Sequence, residues 1–387
     1  MGNRWVYKVK LKSNGSLERF KGRLVVHGNH QREGVDYFDT FSPVVKMMEV
    51  NNAFLHGDFS EEVYMKMPLG IPNPKNKKLS TALQDQGFTQ SKNDYSLFLK
   101  TVNGQMTIVA VYVDDILVTG SDSTSVSQLK DFLHQQFTIK DLGFLNFFLG
   151  LEVHYRDDGI IMNQRKFTQE LLAETSFSDV KPVVTPFPQN MKFSDPCSPY
   201  VKDQSTYRSL IGKLNFLTHT RPNLSFTVQT LSQFMQNPQQ IHLDGVHHLL
   251  RYLKGTSGQG ILLNGSTNMS LHVYSDSDWA ACPISHRSVT GYVILFGGSP
   301  ISWKSKKQYT ISRSSPEAEY RAMANAAAEL TWLVRILKEL GVTNLKPVTL
   351  HCDNQSALHI AKNPVFHDVR NTLSLIVTLQ GKKSWKD

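Results

Sequence analysis

Two adjacent carboxylates, Asp114 and Asp115, stand in an apolar stretch and carry the strongest chemical signal in the first half of the chain. The flanking residues, 107–113 and 116–118, are mostly β-branched or aliphatic, which is typical of two strands joined by a tight turn. Burying two carboxylates there costs on the order of several kcal/mol unless a cation neutralises them. A divalent metal pair about 4 Å apart does so in phosphoryl transfer. The pattern therefore predicts a catalytic metal site, and the alternative is an exposed Asp-Asp turn.

Three further acids, Asp276, Glu319 and Asp353, stand at the ends of predicted elements in the last third of the chain. Two of them end strands, and Glu319 lies near the start of a long helix. A compact α/β domain can bring such ends together, and the resulting cluster repels itself unless it holds cations. Mg²⁺, with Mn²⁺ as a substitute, suits an all-oxygen site that keeps water and substrate phosphate as ligands. Taken singly, each acid is as consistent with a surface residue, and Asp278 with turn chemistry.

The elements that must position these acids follow from the periodicity of the apolar residues. Alternation predicts strands within 4–27, 107–120, 144–154, 159–163, 291–296 and 348–352, and one ending at Asp276. Helical spacing predicts helices over 124–137, within 207–254 and over 316–340. Ser314 and Glu317 form a capping box at the start of the last helix. The remaining Pro-rich segments, 66–80 and 181–199, predict a loop and a linker.

Length, charge and cysteine content set limits on the class of protein. A chain of 387 residues predicts two or three domains, and its net charge of +9 favours a polyanionic partner. No apolar run approaches the roughly 20 residues that span a bilayer, and no secretory signal pattern opens the chain. The three cysteines form no CxxC pair, so zinc and a disulfide framework are not indicated. We therefore expect an intracellular protein, in the cytoplasm, the nucleus or both.

Several strings in the first two thirds of the chain occur together in one family of enzymes. They are YVDD at 112–115, FKGRLV at 20–25, GVDYFDTFSPV at 34–44, VNNAFLHGD at 50–58, FFLGLE at 147–152 and RYLKGT at 251–256. The chain thus resembles the reverse transcriptase region of the Pol polyprotein of Ty1/copia-type retrotransposons. The resemblance implies templated DNA synthesis, with two Mg²⁺ ions held by Asp114 and Asp115. It also implies that Lys21 and Arg23 meet the phosphates of the incoming nucleotide and that Phe54 packs under its deoxyribose. The alternatives are surface basic residues and a core Phe.

The last third resembles the ribonuclease H of the same elements. The strings are YSDSDWA at 274–280, SRSSPEAEYRAM at 312–323 and HCDNQSALHIAKNP at 351–364. The resemblance implies that Asp276, Glu319 and Asp353 hold the ions that activate water against the RNA strand of a hybrid, which its 2′-hydroxyl distinguishes from DNA. A basic loop resembles the approach for the hybrid and would contact phosphates rather than bases. Its residues are Trp303, Lys304, Lys306, Lys307 and Arg313.

Departures from the family weaken the case for polymerase activity. Glu49 stands where the family has an Asp that supplies the first metal ligand, and it is one methylene longer. Catalytic geometry is usually held to about 0.5 Å. Two palm segments of the family are also missing, one after Lys46 and one between Lys78 and Ser80. We therefore predict that this chain does not extend a primer.

The C-terminal tail departs from the family as well. Residues 371–378 can be encoded by a DNA sequence that, read two bases later, gives the family string His-Ile-Glu-Leu-Asp-Cys-His. The alternative is a divergent tail that only permits this translation. A frameshifted tail would remove the closing acidic motif, so we expect residues from about Asp368 to be poorly packed and hybrid cleavage to be weak or absent.

The sequence predicts an α+β fold in three parts. Residues 1–155 form a truncated reverse transcriptase of fingers and palm, 156–268 a helical thumb and connection, and 269–387 an α/β ribonuclease H-like domain with an aberrant tail. The expected partners are an RNA or DNA template-primer, an RNA–DNA hybrid and deoxynucleotides, with no membrane. The expected function is two-metal phosphoryl transfer inherited from a retrotransposon. The alternative is a catalytically dead remnant that at most binds nucleic acid without sequence preference.

Overall fold

A computed structural model describes most of the chain from residue 79 onward and one hairpin before it. The described ranges are 3–11, 17–26, 79–112, 115–137, 139, 141–188, 193, 198–265, 268–343, 345, 347–363 and 377–381. They form a mixed α and β structure with several sheets and eight α-helices among these residues. The chain divides into two compact units, Met1–Gly87 with Val111–Ile116, and Phe88–Ala110 with Leu117–Asp387. No helix in the described ranges is both long and apolar enough to cross a bilayer.

The first unit contains the predicted N-terminal hairpin. Strands β1 (Asn3–Leu11) and β2 (Leu17–Val26) pair in antiparallel fashion, from Asn3 opposite Val26 to Leu11 opposite Leu17. Helix α1 (Leu79–Asp85) belongs to the same unit. Apolar residues alternate at Trp5, Tyr7 and Val9 of β1, and the two strands lie within the region where the sequence predicts strands.

A four-stranded sheet follows, in the order β3-β4-β5-β6. Its strands are Thr89–Gln90, Leu97–Val102, Gln105–Tyr112 and Asp115–Gly120. The β4–β5 turn is made by Asn103 and Gly104, both with positive φ, which is the backbone that a two-residue hairpin turn requires. Helix α2 (Ser123–Phe137) begins after Asp122, whose carboxylate accepts the backbone N–H groups of Thr124 and Ser125.

The middle of the chain is a helical core beside a small sheet in the order β10-β9-β8-β7. The strands are β7 (Phe147–Phe148), β8 (Leu151–Arg156), β9 (Gly159–Asn163) and β10 (Gly260–Asn264). The helices are α3 (Arg165–Glu174), α4 (Gln204–Leu217), α5 (Ser225–Ser232) and α6 (Gln240–Gly255), with a 3-10 turn at Pro222–Leu224. Fully buried Leu214, Leu217, Leu249 and Leu250 lie at its centre. The described residues of the predicted 181–199 linker form no helix or strand.

A five-stranded sheet in the order β13-β12-β11-β14-β15 closes the chain. Its strands are β11 (Leu271–Asp278), β12 (Val289–Phe296), β13 (Ser299–Lys307), β14 (Val348–Cys352) and β15 (Val377–Gly381). The first three pair in antiparallel fashion, whereas β14 is parallel to β11 and β15 is parallel to β14. The two helices are α7 (Ser315–Glu339) and α8 (Gln355–Lys362). Buried Val273, Ile294 and Leu350 of the sheet form one core with Met323 and Leu330 of α7.

The limits of α7 agree with the predicted signals. The Ser314 side chain accepts the N–H of Glu317, but the carboxylate of Glu317 accepts the N–H of Arg313 rather than that of Ser314. The capping box is therefore only half formed. The helix ends before Gly341, whose φ of 82° is the left-handed conformation that commonly terminates helices.

Two expectations of the sequence analysis need correction. The predicted basic loop is a strand, because Lys304, Lys306 and Lys307 lie in β13, and only Arg313 lies in the loop that follows. Alternating Ser and Lys are compatible with an edge strand, where lysines hinder pairing with another chain. The tail is also not uniformly unpaired, since Val377–Gly381 pairs with β14. The rest of the tail, 364–376 and 382–387, lies outside the described residues.

Candidate metal centre

Three elements bring acidic side chains to one edge of the five-stranded sheet. Strand β11 alternates, with Ser275 and Ser277 buried and Asp276 and Asp278 exposed. The parallel register places Tyr274 opposite His351 in β14. Asp276 and Asp353 each follow that pair by two residues, so they occupy equivalent positions on neighbouring strands. Asp276 therefore lies in β11, whereas Asp353 is the first residue after β14.

Glu319 reaches the same edge from the second turn of α7. It is only 4% exposed, and its Oε1 accepts the backbone N–H of Ser277 at 3.1 Å. Burial and the negative charge of Asp276 raise the pKa of the Glu319 carboxyl to about 7, with a further contribution from Asp353 and partial relief from the Ser277 N–H. The structure therefore buries a carboxylate beside two others, which disfavours its ionised form.

Two neighbouring groups share this environment. Burial and the charge of Asp276 raise the pKa of Asp278. The thiol of Cys352 lies 3.8 Å from Oε2 of Glu319, and burial together with the charges of Glu319 and Asp353 raises its pKa to about 11. Potential ligand atoms of Glu319, Cys352 and Asp353 all lie within 4.8 Å of one another. The cluster can hold a cation through carboxylate oxygens, and it also offers one sulfur.

A cleft of about 560 Å³ opens beside these acids. The rings of Tyr274 and His351 stack in it, with centroids 4.5 Å apart and planes 10° apart. Trp303 also lines the cleft, and its indole N–H donates to the Thr218 carbonyl at 2.9 Å. The acids Asp276, Asp278 and Asp353 share this cleft with Lys304. It therefore combines carboxylates that can bind a cation, aromatic rings that can stack and a basic group that can contact a phosphate.

The other predicted basic residues differ in their availability. Lys304 and Lys306 are exposed, as is Arg313. Lys307 instead donates to the side-chain oxygen of Gln233 at 2.6 Å and lies 3.6 Å from the Cys282 sulfur. Three of the four predicted cations are thus exposed, and Lys307 is engaged within the protein.

Sequence reasoning missed the roles that Tyr274, His351, Cys352 and Trp279 take at this edge. Trp279 is 51% exposed, and its indole N–H donates to the Ser312 carbonyl, joining the loop after β11 to the loop before α7. The alternation of β11 and β14 could have placed Tyr274 and His351 on the face of the two strand-end acids. Nothing local in the sequence predicts that the Cys352 sulfur meets a helix residue.

The predicted polymerase residues are only partly described. Asp115 is exposed and begins β6, whereas Asp114, Glu49 and Phe54 lie outside the described residues. Lys21 and Arg23 lie in β2, opposite Lys8 and Val6, and the description there is limited to the backbone. Their convergence on a nucleotide stays a prediction.

Comparison with known proteins identifies the family. The sequence profile of the reverse transcriptase (RNA-dependent DNA polymerase) family matches residues 1–51 and 71–189. The Pol polyproteins of transposons RE1 and RE2 of Arabidopsis thaliana are 39% and 38% identical over 95% and 97% of this chain. The chain spans only 28% and 29% of their lengths. An uncharacterised mitochondrial protein of the same plant is 40% identical over 57% of the chain and 92% of its own length. The chain belongs to the reverse transcriptase family found in the Pol polyproteins of copia-type retrotransposons.

Proposed function

We propose that residues 269–387 form a ribonuclease H-like domain that hydrolyses the RNA strand of an RNA–DNA hybrid with divalent cations, Mg²⁺ or Mn²⁺. Asp276, Glu319 and Asp353 hold the cations. The proposal is carried by one observation, the burial of Glu319 beside two other acids at the end of a parallel strand pair. Two of the three proposed ligands, Glu319 and Asp353, belong to a group of residues that could hold a metal ion, in which the third member is Cys352 rather than Asp276.

The energetics of Glu319 favour a cation at this edge. Raising its pKa from 4.5 to about 7 corresponds to a penalty on the order of 3 kcal/mol for the ionised form in the metal-free protein. A buried charge is ordinarily paired, and no cationic side chain is a cause of this shift among the described residues. A divalent ion would remove the penalty and compensate the neighbouring acids as well.

Other residues of the chain position the proposed ligands and contact the substrate. The Ser277 N–H fixes one oxygen of Glu319, and the parallel pairing of β11 with β14 ends just before Asp276 and Asp353. A bound divalent ion supplies Lewis acidity and lowers the pKa of coordinated water. Exposed Lys304 in the cleft would neutralise a backbone phosphate, which orients the duplex without reading its sequence.

The polymerase half is proposed to be silent. Its inherited chemistry would need Asp114 and Asp115 to hold two ions, with Lys21, Arg23 and Phe54 around the nucleotide. Glu49 replaces the Asp of the family and so changes the position of a metal ligand, and the absence of the two palm segments removes supporting core. Primer extension on a homopolymer template with Mg²⁺ or Mn²⁺ should therefore be undetectable. Incorporation that disappears in an Asp114→Asn, Asp115→Asn double variant would contradict this proposal.

A second candidate function is binding of nucleic acid without catalysis. Exposed Lys304 and Lys306 on an edge strand favour it, because such residues contact phosphates of any sequence. The aberrant tail also favours it, since a family acid would be missing there. Under this alternative the protein is a remnant of a retrotransposon.

Cleavage of a labelled RNA strand in a hybrid distinguishes the two candidates. The full chain is incubated with Mg²⁺ or Mn²⁺, and Asp276→Asn is compared with Asp157→Asn, which alters an exposed acid in the β8–β9 turn. Slow metal-dependent cleavage that Asp276→Asn abolishes and Asp157→Asn preserves is the expected result. Binding without cleavage in both metals would favour the remnant.

A further inference from the structure

Cys352 places a sulfur atom next to the acids of the candidate metal centre. It is the last residue of β14, is 1% exposed, and its Sγ lies 3.8 Å from Oε2 of Glu319. With Asp353 these residues offer three ligand atoms, all within 4.8 Å of one another. The oxygen-only set described above uses Asp276 where this set uses the thiol.

A second observation points to a ligand at the same place. The hydroxyl of Ser275 is buried and has no hydrogen-bond partner among the described residues, and the residue is only 6% exposed. Ser275 and Cys352 each follow the last registered pair of β11 and β14, Tyr274 and His351, and both line the cleft. A buried hydroxyl without a partner costs about 1–3 kcal/mol. A ligand, or water bound to one, would satisfy it.

The donor set of one sulfur and two carboxylate oxygens suits zinc and similar ions, which accept both kinds of ligand. A tetrahedral zinc ion binds sulfur at about 2.3 Å and carboxylate oxygen at about 2.1 Å, which separates ligand atoms by roughly 3.5 Å. Side chains already within 4.8 Å of one another need only small rotations to reach that spacing. Thiolate selects Zn²⁺ and Cd²⁺, whereas Mg²⁺ prefers oxygen and water. Three protein ligands leave a fourth position for water.

We propose that Glu319, Cys352 and Asp353 form a binding site for a soft divalent metal ion such as Zn²⁺ or Cd²⁺. On binding, the S–H bond of Cys352 breaks, its proton passes to solvent, and a bond forms between sulfur and the metal. The hydroxyl of Ser275 then has a partner in the metal-bound water.

The site also predicts a mode of inhibition. Glu319 and Asp353 belong to both ligand sets, so a soft metal ion excludes Mg²⁺ or Mn²⁺ from the centre. This consequence rests on the proposed nuclease function, whereas the binding of the soft metal does not.

Cadmium titration of the full chain tests the binding. The ultraviolet charge-transfer band between thiolate and Cd²⁺ is followed in wild type, Cys352→Ser and the matched control Cys282→Ser, which alters the other described free cysteine. We expect one equivalent of Cd²⁺ to produce the band in wild type and in Cys282→Ser, and no band in Cys352→Ser. Ser275→Ala should retain the band with about tenfold weaker binding, as is typical of a group outside the ligand shell.

Further measurements keep the proposal testable if Cys352→Ser does not fold. In wild type and in Cys282→Ser, an excess of Cd²⁺ should raise the melting temperature, because a ligand that binds only the folded state stabilises it. No band in wild type, a band that persists in folded Cys352→Ser, or no rise in melting temperature would overturn the inference. If the band forms but no hybrid is cleaved, the proposed nuclease function is wrong and this inference stands. If the hybrid is cleaved, Cd²⁺ does not inhibit the cleavage and no band forms, this inference is wrong and the proposed nuclease function stands.

Discussion

The helical core of the middle region and the five-stranded sheet both bury polar side chains, but they treat them differently. Arg221 is 3% exposed in the middle region, and its guanidinium donates to the carbonyl and hydroxyl of Thr256 at the end of α6 and to Asn223. In the sheet, Glu319 is equally buried, yet its neighbours are carboxylates. A helix C-terminus carries partial negative charge, which stabilises a cation. A buried charge whose hydrogen bonds are made indicates a structural role, whereas a buried charge beside like charges indicates a place for a ligand.

His242 is another buried polar residue of the middle region whose hydrogen bonds are made. Its Nδ1 accepts the N–H of Gln239, and its Nε2 donates to the carbonyl of Phe193 at 2.9 Å. Phe234 stacks on its ring at a centroid distance of 3.7 Å. His242 caps α6 and is buried.

Replacing Arg221 should give the largest effect on stability. Arg221→Met leaves the Thr256 groups and the end of α6 without their donors, so we expect a loss of about 3 kcal/mol or more. Denaturant unfolding measures it, with Arg165→Met as a control at an exposed position of α3. A loss no greater than that of the control would show that the hydrogen bonds of Arg221 do not stabilise the fold.

Glu319→Gln should act in the opposite direction in the metal-free protein. The amide cannot ionise and can still accept the Ser277 N–H, so the chain should gain up to about 3 kcal/mol at pH 8 with a chelator present. The same variant should lose the rise in melting temperature that Mn²⁺ gives to wild type. Glu170→Gln, at an exposed acid of α3, is the control. Destabilisation by Glu319→Gln at pH 8 would show that the ionised Glu319 carboxylate does not destabilise the metal-free protein.

The two buried groups should also give pH dependences of opposite sign. The folded pKa of Glu319, about 7, exceeds its ordinary 4.5, so its contribution is present below 4.5 and is lost as pH rises through 7. Burial lowers the pKa of His242 below 6.5, so its contribution is present above 6.5 and is lost as pH falls through the folded pKa. Melting temperatures are measured from pH 4 to pH 8 with a chelator. The loss of stability at rising pH should be absent in Glu319→Gln, and the loss at falling pH should be absent in His242→Gln. Unchanged profiles in both variants would show that neither burial is energetically important.

The smallest expected effect concerns the exposed lysines of β13. Lys304→Gln and Lys306→Gln should each lower the slope of log affinity against log salt for a duplex by about 0.9, because each removes one phosphate contact. The affinity for a scrambled sequence should fall equally. Lys307→Gln is the matched control, since that lysine is bonded to Gln233. An equal change of slope in the control would show that the edge strand is not a specific contact surface.

The acids of the candidate centre could be predicted because each stands at an element end that local signals mark. Asp276 lies near the end of the alternating strand β11, which continues two residues past the predicted end to Asp278, and Glu319 follows a half-formed cap at Ser314. The basic segment was assigned to a loop because Ser and Lys in alternation lack the apolar period of a strand. Its pairing with β12 comes from a partner distant in sequence. The burial of His242 likewise depends on distant residues, since Phe193 and Phe234 come from other segments.

The sequence by itself determined the family, the order of most elements and the identity of the strand-end acids, because short strings and local periodicity encode them. Only the tertiary structure decided that the Cys352 sulfur meets Glu319 and shares a cleft with Ser275, and that Lys307 is engaged while Lys304 is exposed. Burial and partner choice depend on residues tens of positions apart, whose approach no local pattern specifies. The physical difference is one of range: propensity and capping act within a few residues, whereas desolvation and charge repulsion act between elements that only folding brings together.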